Sequence, residues 1–288
     1  MGLRHRNTVL LVAAAGLACV AGGSAAADSA PMAAAVYGSS GPVLRLATGS
    51  PGELGLVGEL AVRFSDQEPI RLEWHKAGSG AALELLKQGR VDLVMVHAPA
   101  AETAAVAEGW AARHTPIGGN AYYLVGPTDD PAGIRASADA LDALRRIAST
   151  GSRFLSRGDQ SGTHRRELAL WAEAGISPDW PGYSESSDFM AASLRRAEAE
   201  GAYFLTDNST WVALQNELPG LERLYSGDPR LLNAYHALLA PDGPSAALAD
   251  RFLRFLEGPD GQAVVRDFGR AQFGAPLYLD AAALQREP

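Results

Sequence analysis

VDLVMV, residues 91–96, is a six-residue run in which Asp92 is the one polar residue. A strand with one wet face alternates polar and apolar side chains, so a run this apolar predicts a parallel strand covered on both faces. Upstream, helical spacing across residues 81–88 stops at Gly89, where a left-handed C-cap calls for glycine. Residues 70–74, IRLEW, read as a second strand, and residues 43–47, VLRLA, as a third. Between those two, Leu54, Leu56, Val57, Leu60, Ala61 and Phe64 recur at helical spacing. Three strands with two intervening helices predict a right-handed parallel α/β unit, which binds ligands at the loops after its strand carboxyl ends. Two of those loops, around Ser50 and Ser79, place a hydroxyl and glycine at a helix start.

Downstream, a helix over residues 100–108 and a strand over 121–125 lead to the turn-rich segment 126–131, GPTDDP, which suits a crossing between lobes. A second α/β block follows, with helices over 138–149, 163–174 and 189–200, strands at Phe154 and over 202–205, and a loop over 177–187. Asp207, Asn208, Ser209 and Thr210 then place short polar residues before a helix over 211–216. The apolar stretch 231–240 returns to the first lobe, and helices over 245–256 and 261–268 close the chain. The expected fold is α/β with two lobes, each an α/β sandwich, and a ligand cleft between them. Residues 43–125 plus 231–288 form lobe 1 and 126–230 lobe 2, behind a flexible lead-in over 28–42 with order beginning at Val43.

The first residues carry a basic start (Arg4, His5, Arg6), an apolar stretch over 8–20 and Ala25-Ala26-Ala27. That is the pattern of a cleavable secretory signal ending at Ala27, and the apolar run is shorter than the roughly 20 residues a spanning helix needs. The single cysteine, Cys19, lies inside it with Gly16 three residues earlier where a lipoprotein signal has leucine, so the expected product is a soluble exported protein without disulfides. A compact, exported, disulfide-free chain points to the periplasm. The formal charge of −8 becomes −10 without Arg4 and Arg6, 23 basic residues against 33 acidic. Such a surface argues against nucleic acid and anionic membrane as partners, and it opposes any anionic ligand except through local donors.

One segment supplies such donors. SRGDQSGTHRREL, residues 156–168, follows the apolar pair Phe154-Leu155 and opens a helical pattern. A glycine-bounded turn lets backbone N–H groups converge, Ser161 and Thr163 add hydroxyls, Arg157 adds charge, and the helix start adds its dipole. Asp159 is placed to pair with Arg157 and orient it.

Taken together, the segments LRLAT (44–48), AGSGAAL (77–83), VDLVMVHAPAAE (91–102), YYLVGPTDDPAGI (122–134), SRGDQSGTHRREL, GAYFLTD (201–207) and GDPRLLNAYHALL (227–239) resemble the tungstate-binding periplasmic proteins of tungstate ABC importers. The resemblance runs in order along nearly the whole mature chain. It implies a two-lobed periplasmic binding protein fold, capture of a tetrahedral oxyanion, tungstate or molybdate, no catalysis and no cofactor, and delivery to a membrane permease driven by an ATPase. It implies principal contacts from Arg157 and Thr163 in the second lobe and contributions from Ser79 and the Thr48 loop, with Ser50, in the first; Ser161 is a candidate through its hydroxyl at the helix start, and the chain is expected to act as a monomer. The sequence departs from the family pattern at Thr48-Gly49-Ser50-Pro51-Gly52, a shortened hydroxyl run, at Ser79 for threonine, at Gln160 for an acidic residue and at Asn208 for arginine.

Other chemistry reads less well. His75, His97, His164 and His236 lack the i, i+4 spacing of a helical metal pair and no cysteine ligand accompanies them, so no metal site is expected. His97 is expected to fix loop geometry and His164 to be a solvated neighbour of a cap. Asp159, Ser161 and His164 stand too close in sequence to meet as a hydrolytic triad, and Gly-x-Ser-x-Gly is missing. Two alternatives stay open: a phosphate receptor, which uses a similar Arg-x-Asp-x-Ser-Gly-Thr turn, and a diverged sensor or interaction protein without transport, suggested by the shortened first loop.

Overall fold

The computed structural model describes residues 32–286. The signal segment, Ala27 and Cys19 lie outside the described residues. In the first region β1 (Ala35–Tyr37), β2 (Val43–Thr48), α1 (Ser50–Glu53), α2 (Leu56–Ser65), β3 (Arg71–Lys76), α3 (Ser79–Lys87), β4 (Leu93–Val96) and α4 (Pro99–Ala107) follow one another. β2 lies between β3 and β4 and is parallel to both. All of β4 is buried, with Leu93 and Met95 in one apolar core and Val94 and Val96 in another on the opposite face. Period-two alternation between two dry faces explains why the sequence there shows no polar phase.

Two expectations change here. The helix predicted across residues 54–64 begins at Leu56, as α2, because Gly55, left-handed at φ 97°, separates it from the short α1. The lead-in is partly ordered: β1 pairs antiparallel with β3, and a Cβ on Gly58 would come 2.8 Å from the Tyr37 ring, so α2 keeps a bare patch for that tyrosine. Small residues hid an edge strand.

Next comes β5 (Ala112–Pro127), far longer than the strand predicted over 121–125. Its first part pairs with β10 and its last residues with β8 and β9, so a single strand serves both halves of the sheet. Pro116, Gly118, Gly119 and a left-handed Arg113 (φ 62°) disguise it in sequence, and register shifts against β10 accommodate them. The second region holds α5 (Ala140–Ser149), β6 (Phe154–Ser156), α6 (Gly162–Glu173), β7 (Tyr183–Glu185), α7 (Met190–Glu200), β8 (Tyr203–Asp207), α8 (Asn208–Leu214) and β9 (Leu221–Tyr225). β7 lies in the predicted 177–187 loop, held parallel to β6 as Tyr183 stacks on Phe154 with ring centroids 5.9 Å apart. α8 starts at Asn208, three residues before the predicted helix, because Asp207 caps it.

β10 (Leu232–Leu239) returns between β4 and β5, antiparallel to both. α9 (Ala246–Glu257) and α10 (Pro259–Asp267) then cover the first region, followed by α11 (Arg270–Phe273) and α12 (Ala281–Leu284). One core lies around Leu46, Leu60 and Phe252, a second around Leu83 and Val94, a third around Phe154 and Trp171, and a fourth around Leu194 and Phe204. Among the described residues no helix is long and apolar enough to cross a membrane.

Candidate functional site

Each parallel strand of the first region ends in a loop that turns into a helix. After β2, the Thr48 hydroxyl donates to Met95 O (2.8 Å) and Thr48 O accepts from Trp74 Nε1 (3.0 Å). The turn that follows is packed against Trp74. A Cβ on Gly52 would fall 2.0 Å from the Trp74 indole, so this turn lies flat beneath the tryptophan. After β3, Ser79 opens α3, and its Oγ accepts from His97 N (3.2 Å). α3 makes its first helical bond at Ala82 N→Gly78 O (2.8 Å), which leaves the amides of Ser79, Gly80 and Ala81 ahead of the helical ladder. After β4, the His97 Nδ1 sits 2.8 Å from both the Tyr122 hydroxyl and Asn233 Oδ1. Burial holds its imidazole below the ordinary range, so the ring is neutral at pH 7.

In the second region the turn after β6 is built from behind. Glu167, in α6, accepts from the Ser156 hydroxyl (2.8 Å), Tyr183 OH (2.9 Å) and Trp171 Nε1 (3.1 Å), and also from the Arg157 backbone N–H. Burial pushes its carboxyl up to about 7 despite those donors. Arg157 is 4 % exposed; its Nε donates to Asp188 O (2.8 Å) and its Nη2 pairs with Asp159. Asp159 also accepts from Ser161 N (3.1 Å), so this carboxylate is spent inside the turn. Ser161 caps α6 by accepting from His164 N (3.3 Å), and Thr163 hydrogen-bonds the Tyr122 hydroxyl.

The two sets of loops face each other at contact distance. A Cβ on Gly78 would meet Ser161 Cβ at 3.2 Å, one on Gly80 would meet Gln160 O at 3.1 Å, and one on Gly162 would strike the His97 ring at 2.5 Å. The amino-terminal ends of α3 and α6 are therefore brought together by glycines where any side chain would hold them apart. Two helix starts, next to a buried guanidinium, form a positive pole.

Ser50 reaches across this seam to Asp207 Oδ2 (3.3 Å). Asp207 caps α8 through Thr210 N (2.7 Å) and accepts from the hydroxyls of Ser209 and Thr210 as well. Thus Ser79, Arg157, Ser161 and Thr163 gather at the α3–α6 junction, while the hydroxyls of Thr48 and Ser50 are already donated to protein acceptors.

A family model described as a PBP superfamily domain matches residues 25–259. The tungstate-binding protein TupA of Peptoclostridium acidaminophilum is 32 % identical over 251 residues, covering 85 % of this chain and 87 % of that protein. A crystal structure of the tungstate ABC transporter from Geobacter sulfurreducens superposes with a TM-score of 0.72 at 33 % identity, over 78 % of this chain and 98 % of that one. The tungstate-binding protein TupA from Desulfovibrio alaskensis G20 does so with a TM-score of 0.68 at 33 % identity, over 83 % and 99 %. The chain belongs to the tungstate-binding protein family of the PBP superfamily.

Asn208 and Gln160 each have a local structural role. Asn208 accepts from Ala121 N (3.4 Å) and lines, with Asn120, Asp228 and Tyr278, a cavity of about 260 Å³. Gln160 takes a left-handed conformation at φ 58°, and its N–H donates to His164 Nδ1 (3.1 Å). That bond corrects the expectation for His164: its ring is buried and serves the turn, where a solvated cap neighbour was expected. It also occupies the ring nitrogen that a hydrolytic triad would need, and the contact between Ser161 Oγ and His164 runs to the backbone amide. A second cavity, of about 390 Å³, opens beside the helix junction and is lined by His97, Tyr122, Gly162, Arg165, Arg166 and Asn233.

Sequence reasoning missed the Tyr122–Asn233–Asn120–Ser209 chain, in which Tyr122 OH donates to Asn233 Oδ1 (2.9 Å), Asn233 Nδ2 to Asn120 Oδ1 (2.6 Å) and Asn120 Nδ2 to Ser209 Oγ (2.9 Å). These residues lie up to 113 positions apart, on adjoining stretches of β5 and β10 and on α8, and no local pattern marks them. Polar residues inside otherwise apolar strand runs were the one available signal.

Proposed function

We propose that this chain is a periplasmic receptor that captures tungstate, with molybdate as the next ligand, and hands it to the permease and ATPase of an ABC importer without catalysis. The observation that carries the reading is the contact between the amino-terminal ends of α3 and α6 at Gly78 and Ser161, with Arg157 buried beside it. Backbone amides of both helices, the hydroxyls of Ser79 and Ser161, and Arg157 supply donors to a desolvated dianion, and Thr163 joins them by turning its hydroxyl from Tyr122. Each charge-assisted hydrogen bond is worth roughly 1.5–3 kcal/mol. Thr48 supports the first wall through Met95 O, and Ser50 joins the ligand by leaving Asp207. Lobe 1 (43–125 plus 231–288) and lobe 2 (126–230) move about the shared strands to admit and enclose the ion.

Donors without a free acceptor favour an oxyanion that carries no proton. Asp159 is engaged by Arg157 and Ser161 N, and Asp207 by four donors, which speaks against the phosphate alternative, since protonated phosphate needs an acceptor carboxylate. The test is calorimetry and thermal unfolding of the purified mature protein against tungstate, molybdate, sulfate and phosphate. A ligand that binds only the folded state raises the melting temperature by mass action. Tungstate and molybdate are expected to raise it, phosphate and sulfate to do so weakly, and Arg157→Ala to remove the rise. No shift with any oxyanion at saturation sinks the proposal and leaves the sensor alternative.

A further inference from the structure

A second polar cluster forms where α4 passes the strands β5 and β10. Glu102, in the first turn of α4, is fully buried, and one of its carboxylate oxygens accepts from Ala98 N. The other, Oε2, lies 2.8 Å from His114 Nε2 and 2.9 Å from His236 Nδ1. The two imidazoles face each other with centroids 4.2 Å apart and planes 36° from parallel. All three ligand-type atoms fall within 4.8 Å of one another.

The backbone is shaped for this meeting. β5 shifts register against β10 on both sides of the pairs His236↔Pro116 and Ala237↔Thr115, and Arg113, immediately before His114, holds a left-handed φ of 62°. Bulges of this kind redirect a side chain within a ladder. They bring His114 onto the face where His236 points.

The cluster is poorly explained as a plain ion pair. His236 Nδ1 is buried and near Oε2, yet it lacks the alignment of a hydrogen bond. Two imidazole nitrogens thus converge on one carboxylate oxygen, and one of them is left geometrically unsatisfied.

We propose that Glu102, His114 and His236 form a binding site for a divalent transition-metal ion of the zinc class, with His114 on the solvent side and the remaining coordination position open to water. Tetrahedral bonds of about 2.0–2.1 Å separate neighbouring ligand atoms by roughly 3.4 Å, so the site must open by about half an ångström from its present spacing. His114 is exposed and His236 partly so, and small rotations of these rings supply that opening. Two nitrogen ligands with one carboxylate select zinc, cobalt or nickel over magnesium and calcium, which prefer oxygen. The site does not rest on the anion reading: its three ligands are distinct from the residues assigned to tungstate. Helical spacing could not announce it, because the ligands come from one helix and two strands, 12 and 122 residues apart.

The test uses the untagged mature protein, stripped with a chelator and dialysed, and titrated with cobalt(II) under visible absorption and with zinc(II) by calorimetry. A saturable one-to-one complex with the intense d–d bands of a four- or five-coordinate ion is expected, undisturbed by excess magnesium or calcium. His114→Ala, an exposed substitution, and His236→Gln should each abolish the bands while circular dichroism and tungstate binding stay unchanged. Absence of a saturable complex overturns the proposal. Bands that survive both substitutions overturn it equally, by placing the metal elsewhere.

Discussion

Gly162 and Gly52 show how much the site depends on what a residue lacks. The first is the helix residue that lets α6 touch the His97 ring, with a Cβ there at 2.5 Å from it. Gly162→Ala is expected to push the α6 start away from α3. It should weaken tungstate binding by at least tenfold in calorimetry, about 1.4 kcal/mol, and lower the unliganded melting temperature as well. Arg157→Lys should separate charge from geometry. A lysine keeps the positive charge but cannot hold both Asp188 O and Asp159 in a planar fork. The expected result is an affinity loss nearly as large as that of Arg157→Ala, together with a lower unliganded melting temperature, because one partner of the buried guanidinium is left unpaired. Gly52→Ser tests the flattened first loop. Adding a hydroxymethyl there should destabilise this chain by about 1–3 kcal/mol, because Trp74 occupies the space. Chemical denaturation reads that cost.

At the scale of elements, the turn after β6 depends on Glu167, a carboxyl shared among β6, α6 and β7. Its proton affinity is raised from 4.5 to about 7 by burial, so between those values the folded protein binds more protons at this position than the unfolded chain. Its contribution to stability is therefore present below about pH 4.5 and is lost as pH climbs through about 7, a change on the order of 3 kcal/mol. Urea unfolding at pH 5 and pH 8 should show this fall in the parent and a smaller one in Glu167→Gln; parallel pH profiles would remove Glu167 from the account. The helices themselves were the legible part of this chain. α2, α3, α5, α7 and α9 follow from apolar spacing, and the Ser161 cap and Gly89 terminator from residue chemistry. β1, β7 and β9 escaped because strands this short exist through pairing with neighbours that a local window does not contain, and most of β5 because Pro116, Gly118 and Gly119 interrupt its pattern. For the same reason Ser161 and Thr163 could be singled out in the sequence as candidates, whereas Asn120, Asn233 and His114 could not.

Across the whole molecule, the two halves of the sheet share β5, and their loops meet at Ser50–Asp207, at Gly78–Ser161 and where Lys76 Nζ lies 3.9 Å from the Phe189 ring centroid. The three contacts named are polar or small, and each half has its own apolar cores. Opening along this seam exposes little apolar surface, so its free-energy cost is low compared with disrupting either core. The strand between the halves is restrained on one side: Gly119 exchanges hydrogen bonds of 2.9 and 2.7 Å with Leu279, and Leu277 and Tyr278 are buried beneath it. Motion should then be concentrated beyond this pin, where β5 leaves the first cores. Hydrogen exchange in the absence of anion is expected to be fast at residues 78–81 and 160–163 and slow at 117–119, with saturating tungstate protecting the first two segments only. Deleting residues 277–288 removes the pin together with two buried side chains, each worth about 1.5–3 kcal/mol. That deletion should accelerate exchange at 117–119 and lower the melting temperature. Unchanged exchange there would mean that the tail merely covers the strand, and the restraint on opening would have to come from β10 instead.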